Sequence, residues 1–156
     1  MTFTIRKAGK HDNRQIKKID TFGKQLNSFR GLDKIYLNYK PKKGARSYYE
    51  RFIHGRKKWC YVADEDGKIL GFVLFNIEKR QGWYRIQRIG YIDLLVVEKK
   101  ARKKGIATRL LDKAVNIFRD EGIRYLKLST HMENPAHEFW KKKGFRDYRI
   151  DMWKKI

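Results

Sequence analysis

At 156 residues the chain has the length of one domain with a sizeable core, and 41% apolar with 14% aromatic residues is a globular composition. Its 39 basic and 17 acidic residues leave a net charge of +22 spread along the whole chain, a field that draws anions generally, including RNA, DNA and acidic proteins. No run approaches the roughly 18 apolar residues of a membrane span, residues 1–10 lack the apolar centre of a secretory signal, and one cysteine, Cys60, excludes a disulfide framework and a cysteine metal cluster. A soluble cytoplasmic protein without a membrane partner is the expectation.

In chain order, Thr2 to Arg6 alternates as an edge or half-buried strand would. Asp12 or Asn13 is placed to cap a helix that turns Ile16, Ile19, Phe22 and Leu26 inward. Residues 27–46 are basic and aromatic, punctuated by Gly31, Pro41 and Gly44. A short helix over about 45–54 follows. The crowd of Tyr36, Tyr39, Tyr48, Tyr49, Phe52 and His54 reads either as its packing on a sheet or as the wall of an acceptor site. Trp59–Ala63 and Ile69–Ile77 are two strands joined by Asp66-Gly67, a strong hairpin signal. Cys60 lies in the first of them as a small buried hydrophobe. After a turn begun by Gln81-Gly82, Tyr84 to Val97 continues the sheet.

Residues 91–122 organise the rest. Tyr91 to Val97 is an apolar run short enough for a buried strand, and a basic turn ends at Gly105. Ile106, Leu110, Leu111, Ala114, Val115 and Phe118 then fall on one helix face, with Gly122 as the stop. A helix whose first turn is cationic and begins at glycine suits a phosphate. Its first N–H groups are unpaired, the macrodipole favours an anion, and glycine lets the ligand approach the backbone. The plainer alternative is a solvated helix start that happens to be basic. Beyond Gly122, Tyr125 to Thr130 is a strand, Asn134 caps a short helix with Pro135 at its first position, and Tyr148 to Trp153 is a last strand. No repeat or linker interrupts residues 1–156, which read as a single α/β domain of order β α α β β β α β α β with one right-handed crossover.

Two strings carry a resemblance. Arg102-Lys103-Lys104-Gly105-Ile106-Ala107 resembles the phosphate-turn signature of the GCN5-related N-acetyltransferases, the GNAT family. Asn134 through Phe145, with Ala136, the Phe139-Trp140 pair and Gly144-Phe145, looks like that family's second signature. The likeness covers residues 60–156 closely and the N-terminal third by element order. It implies a GNAT-like α/β fold, with a mixed, mostly antiparallel central sheet, splayed parallel strands in its middle and helices on both faces. It also implies acetyl-CoA as cosubstrate, with no metal. The diphosphate would lie on the turn from Arg102 to Thr108, through Lys103, Lys104, Gly105, Ile106 and Ala107. The pantetheine arm would follow the backbone of Leu95, Val96 and Val97. Asn134, Ala136, His137 and Trp140 would contact the cofactor from the far side. By the same resemblance, the Leu95 N–H would receive the thioester oxygen while an amine attacks directly.

Family members often carry an acidic tyrosine where this chain has Trp140, and an indole N–H is no useful acid near neutrality. Tyr148, another tyrosine or water would have to protonate the leaving thiolate. Asp93 is the first candidate base, its alternative being a polar residue that bonds to the next strand or caps a bulge. His131 is a second candidate, with an ordinary polar role as its alternative. Glu98 reads as a surface residue, and His137 as a cofactor contact or an exposed side chain. Deprotonating a lysine amine at neutrality costs about 4 to 5 kcal/mol, and an α-amine about 1, so a site without a strong base suits α-amines. The positive field disfavours polycationic acceptors and favours an amine on an acidic molecule or partner. A competing reading is a basic RNA- or ribosome-binding module on the same fold, holding its partner through residues 99–104 and its aromatics, with weak or no catalysis. The expected state is a monomer or homodimer.

Overall fold

The computed structural model describes residues 2–40 and 42–156, so Pro41 and Met1 lie outside the described residues. The elements run β1 (Thr4–Lys7), α1 (Asn13–Ile19), α2 (Phe22–Ser28), α3 (Tyr48–His54), β2 (Lys58–Glu65), β3 (Lys68–Lys79), β4 (Arg88–Val97), α4 (Ile106–Asp120), β5 (Leu126–Lys127) and α5 (Ala136–Lys142), with 3-10 turns at Lys10–Asp12 and Lys99–Ala101. They divide into two compact units, one of Met1–Asp20 with Pro41–Leu128, the other of Thr21–Lys40 with Ser129–Ile156. No helix among the described residues is long and apolar enough to cross a membrane.

The first unit is an α/β sandwich about a five-stranded sheet of order β1-β2-β3-β4-β5. Strands β1 to β4 pair antiparallel, and β5 joins β4 in parallel after the α4 crossover. From Ile69 to Phe75, β3 is buried on both faces, as a central strand covered by helices must be. Phe75 meets Phe118 of α4 edge-on, while Phe72, three residues earlier and so on the opposite face, meets Tyr49 of α3. Helices therefore cover both sides. The β2–β3 hairpin turns on Asp66 (φ 50°) and Gly67 (φ 84°), the left-handed pair expected of an Asp-Gly loop.

Local chemistry moved several boundaries. The helix expected to run from Asn13 past Phe22 breaks at Asp20-Thr21, because Asp20 turns extended (ψ 109°) and its carboxylate accepts the Tyr49 hydroxyl. Asp12 does not cap that helix with its side chain. It is buried, bonded to both guanidinium ends of Arg6 and to the Gly9 N–H, and held below the usual carboxylate range; burial opposes that shift, and Arg6 and Gly9 overcome it. Helix α3 begins at Tyr48 because Ser47 and Glu50 form a capping box, the Ser47 N–H donating to the Glu50 carboxylate at 2.8 Å. Strand β4 starts at Arg88, not Tyr84, since residues 80–87 belong to the turn.

The second unit holds α2 and α5. Trp140 is buried, edge-on to both Phe139 and Phe145, and Phe29 is buried under the His131 ring. The strand expected at Tyr148–Trp153 does not form. Its alternation supplies a strand's side-chain pattern, but a strand also needs a ladder partner, and no residue after Lys127 enters a ladder. The strand expected over Tyr125–Thr130 shortens to Leu126–Lys127 for the same reason.

Candidate active site

The basic turn and β4 form one continuous surface in the first unit. Gly105 sits at φ 78°, a left-handed conformation that a side chain would strain, and nothing lies within 4 Å of where its Cβ would be. Helix α4 begins there without a side-chain cap, so the N–H groups of its first turn, Ile106, Ala107 and Thr108, keep their donors for a ligand. Arg102, Lys103 and Lys104 are exposed, with Lys103 also left-handed at φ 62°. The Arg102 Nε donates to the Val97 carbonyl at 3.1 Å, which ties the turn to the end of β4. These residues fit a diphosphate: unpaired amides, a positive dipole end, free cations and room in front of the glycine.

Among the described residues no strand pairs with the second half of β4 on its β5 side. Strand β5 pairs with β4 only at Gly90 and Tyr91. At the far end the Glu98 N–H donates to the Leu70 carbonyl on the β3 side at 2.8 Å. Strand alternation then turns the N–H groups of Val97 and Leu95 away from β3, toward the side β5 has left. Leu95, Val96 and Val97 are half-buried. Leu95 thus offers a backbone donor at an unpaired strand edge, which is what an extended acyl carrier and a thioester oxygen require.

Between these parts the ladder slips. Leu74 faces Leu94 and Phe75 faces Ile92, so Asp93 is the extra residue of a β-bulge. Its carboxylate accepts the Asn76 amide at 2.6 Å and the Tyr48 hydroxyl at 3.4 Å. Burial pushes the Asp93 carboxyl up to about 6, against the lowering pull of the Asn76 bond, the Lys58 charge and the Tyr48 bond, with Glu78 adding a smaller upward push. Tyr48 is itself pushed up, first by burial and then by the Asp93 charge, so it orients this carboxylate and is a poor acid. The structure shows the plainer alternative for Asp93, a bulge residue bonded across to β3, and its raised proton affinity is compatible with a base near neutrality. From sequence Asn76 has no functional assignment, and Tyr48 reads only as packing or as part of an acceptor wall, not as a partner of Asp93. The usable signal was one amide in the otherwise apolar run Ile69–Ile77.

Other candidates have different employment. Both ring nitrogens of His131 are engaged, one with the Arg30 carbonyl at 2.8 Å and one accepting the Glu133 N–H at 3.1 Å, and the ring stacks on Phe29. Both nitrogens of His131 are thus employed in holding its own unit, whereas Asp93 lies two residues before Leu95 on β4. Asn134 precedes the N-cap of α5, which is Pro135, the residue expected to be the first of the helix, and its Oδ1 accepts the Ala136 N–H at 2.9 Å and the Gln25 amide at 3.2 Å. His137 pairs with Asp147 at 2.7 Å. Asn134, Ala136, His137 and Trp140 all belong to the second unit, and the turn and β4 to the first. Tyr148 is exposed. Glu98 pairs with Lys68 at 3.4 Å. Cys60 is fully buried and its thiol is pushed up to about 12, mainly by that burial, which makes it inert. No cluster of three metal-ligating side chains occurs among the described residues.

Comparison with known proteins places this geometry. The acetyltransferase (GNAT) family matches residues 28–145. An uncharacterized N-acetyltransferase of Methanocaldococcus jannaschii is 32% identical over 157 residues, covering 96% of this chain and 63% of that protein. N-alpha-acetyltransferase 30 of Schizosaccharomyces pombe is 28% identical over 102 residues, 65% of this chain and 66% of the other. The matches thus span less than two thirds of the length of these curated relatives. The crystal structure of a predicted acetyltransferase with acetyl-CoA from Clostridium acetobutylicum shares the fold at a TM-score of 0.74 and 22% identity, covering 99% of this chain and 96% of that one. With a family match over most of its length, beside a left-handed Gly105 turn that fits a diphosphate, the chain belongs to the GNAT acetyltransferase family, whose cosubstrate is acetyl-CoA.

Proposed function

We propose that this protein transfers the acetyl group of acetyl-CoA to the α-amine of a peptide or protein N terminus, by direct attack, with Asp93 as base. The observation that carries the reading is the bulged Asp93, set two residues before the Leu95 N–H and tuned to about 6. Acetyl-CoA supplies an acetyl thioester. The Ile106, Ala107 and Thr108 amides, with Arg102, Lys103 and Lys104, hold its diphosphate, and the Leu95, Val96 and Val97 backbone aligns its arm. The Leu95 N–H donates to the acetyl oxygen, where charge develops during attack. Asp93, steadied by Asn76 and Tyr48, takes the proton released by the amine, the C–S bond breaks as the amide forms, and CoA leaves as the thiolate, which takes its proton from water.

Magnitude favours the α-amine. A base at about 6 lies roughly two units below an α-amine near 8, a gap of about 3 kcal/mol, and more than four below a lysine near 10.4, about 6 kcal/mol. The likeness to N-alpha-acetyltransferase 30 supports the same acceptor class. Because the family match runs through segments of both units, we take residues 1–156 as one acetyltransferase domain.

Incubation with acetyl-CoA and paired short peptides tests this, one with a free N terminus and no lysine, the other N-blocked with one lysine. Transfer to the free N terminus is expected. Labelling confined to the lysine would overturn the α-amine assignment.

A further inference from the structure

The hairpin joining β3 to β4 has no role in the transfer proposed above, and its make-up suits a partner of its own. Residues 79–88 read Lys-Arg-Gln-Gly-Trp-Tyr-Arg-Ile-Gln-Arg, with cations and aromatics interleaved and no acid. Trp83 at the tip is 78% exposed, and Tyr84 beside it is 43% exposed. Lys79 stands directly across the ladder from Arg88, a like-charge pair that weakens the hairpin. Glu121 relieves Arg88 from 3.9 Å, but Lys79 and Arg85 have no ion pair among the described residues. Arg80 lies over the Tyr84 ring, 3.6 Å from its centre.

The loop is nevertheless well held. The Arg80 N–H donates to the Gln87 carbonyl at 2.8 Å, and the Gln87 side-chain amide donates to the Gly82 carbonyl at 3.1 Å and to the Tyr84 carbonyl. An exposed indole, tilted toward the Tyr84 ring 6.2 Å away, and cations without an ion pair at Lys79 and Arg85 among the described residues are thus presented in a fixed frame, with the ordering cost of a binding loop already met within the fold.

We propose that this hairpin is a binding surface for single-stranded nucleic acid, with a base stacked on Trp83 and phosphates paired with Lys79, Arg85 and Arg88. Unstacked bases alternate with phosphates along a single strand, as aromatics alternate with cations here, whereas a duplex hides its base faces. An acidic peptide would satisfy the cations but offers no planar partner for the indole. Arg88 is five residues from Asp93, about 17 Å along β4, on the side away from Gly105. A strand held at the hairpin therefore leaves the phosphate turn free, and acetyl-CoA should not displace it.

Fluorescence anisotropy with labelled 12-nucleotide RNA and DNA of one sequence, at about 50 to 200 mM salt, tests the surface. Trp83→Ala should weaken binding about tenfold, Trp83→Leu as much, and Trp83→Phe far less, because only phenylalanine keeps a stacking face. Lys79→Glu with Arg85→Glu should flatten the log–log salt slope by about 1.4. The same two reversals at Lys17 and Lys18, exposed on α1, should leave the Trp83 dependence intact. Thermal melts establish that each variant folds. Equal binding of RNA and DNA supports the stacking surface, and a preference for RNA supports it with an added 2′-hydroxyl contact. The proposal falls if both pairs of reversals act alike and the ring is irrelevant, since only diffuse charge then remains. It falls equally if poly-glutamate shows the Trp83 dependence and nucleic acid does not, or if neither oligonucleotide binds.

Discussion

The two halves of the surface along β4 rest on different kinds of group. From Leu95 to Thr108 the atoms proposed to hold acetyl-CoA are backbone N–H donors at an unpaired strand edge and an uncapped helix start, with exposed cations around them. The proposed base, Asp93, is a side chain whose proton affinity is raised by burial and held back by residues far off in sequence, Asn76 17 positions away and Tyr48 45 positions away. Backbone chemistry survives nearly any side chain, so the binding half needs only a glycine that can turn left-handed and a positive surround. The reacting half depends on packing, and small changes there should move a pH profile without touching cofactor affinity.

The largest separation between the halves is expected from Asp93→Asn. It should lower kcat/KM by about 10² to 10⁴ while acetyl-CoA affinity, read by calorimetry, stays within a few fold. In the native protein the rate should climb as pH rises through about 6, as Asp93 loses its proton, and that limb should vanish in the variant. Equal losses of rate and affinity would erase the distinction drawn here.

Gly105→Glu should do the reverse. A side chain at φ 78° and a carboxylate facing the diphosphate should weaken acetyl-CoA binding about 100-fold and remove the thermal shift it gives, with the Asp93 limb unmoved in the residual activity.

Asn76→Ala sharpens the contrast with a smaller effect. Loss of the amide bond removes a lowering influence on Asp93, so the limb should move to higher pH and the rate at pH 6 should drop several fold. A merely structural role for Asn76 would lower the rate at all pH values without moving the limb.

A stability readout tests the same burial. The folded Asp93 carboxyl holds its proton more tightly than the unfolded one, from about 6 down to the ordinary value near 4. The fold therefore loses stability as pH rises through that window and carries no such cost below it. Asp93→Asn should raise the melting temperature at pH 8 by a few degrees and change it little at pH 4. The smallest effect belongs to Cys60. Its thiol should resist Ellman's reagent in the native state, and Cys60→Ala should leave the rate within about twofold.

Much of this was readable from the chain. The Asp66-Gly67 hairpin, the apolar runs of β2 and β3, the spacing of α4 and the cationic Gly105 turn are local patterns, and each formed where expected. The capping box at Ser47 and Glu50 was equally local and placed the start of α3 three residues later than periodicity suggested. Other features were settled by remote partners. Tyr49 draws Asp20 out of its helix, Arg6 takes Asp12 from a capping role, and Tyr148–Trp153 alternates correctly but joins no ladder. Arg30 and Glu133 engage the ring nitrogens of His131.

Sequence alone determined the family, the phosphate turn and the order of most elements, because glycine's freedom, charge and hydrophobic period act within a few residues of where they are written. Only the tertiary structure decided that β4 slips by one residue at Asp93, that its edge is left open by a two-residue β5, and that Asn76 and Tyr48 converge on one carboxylate. A bulge leaves the apolar pattern almost unchanged, and a pKa belongs to the surroundings that folding assembles.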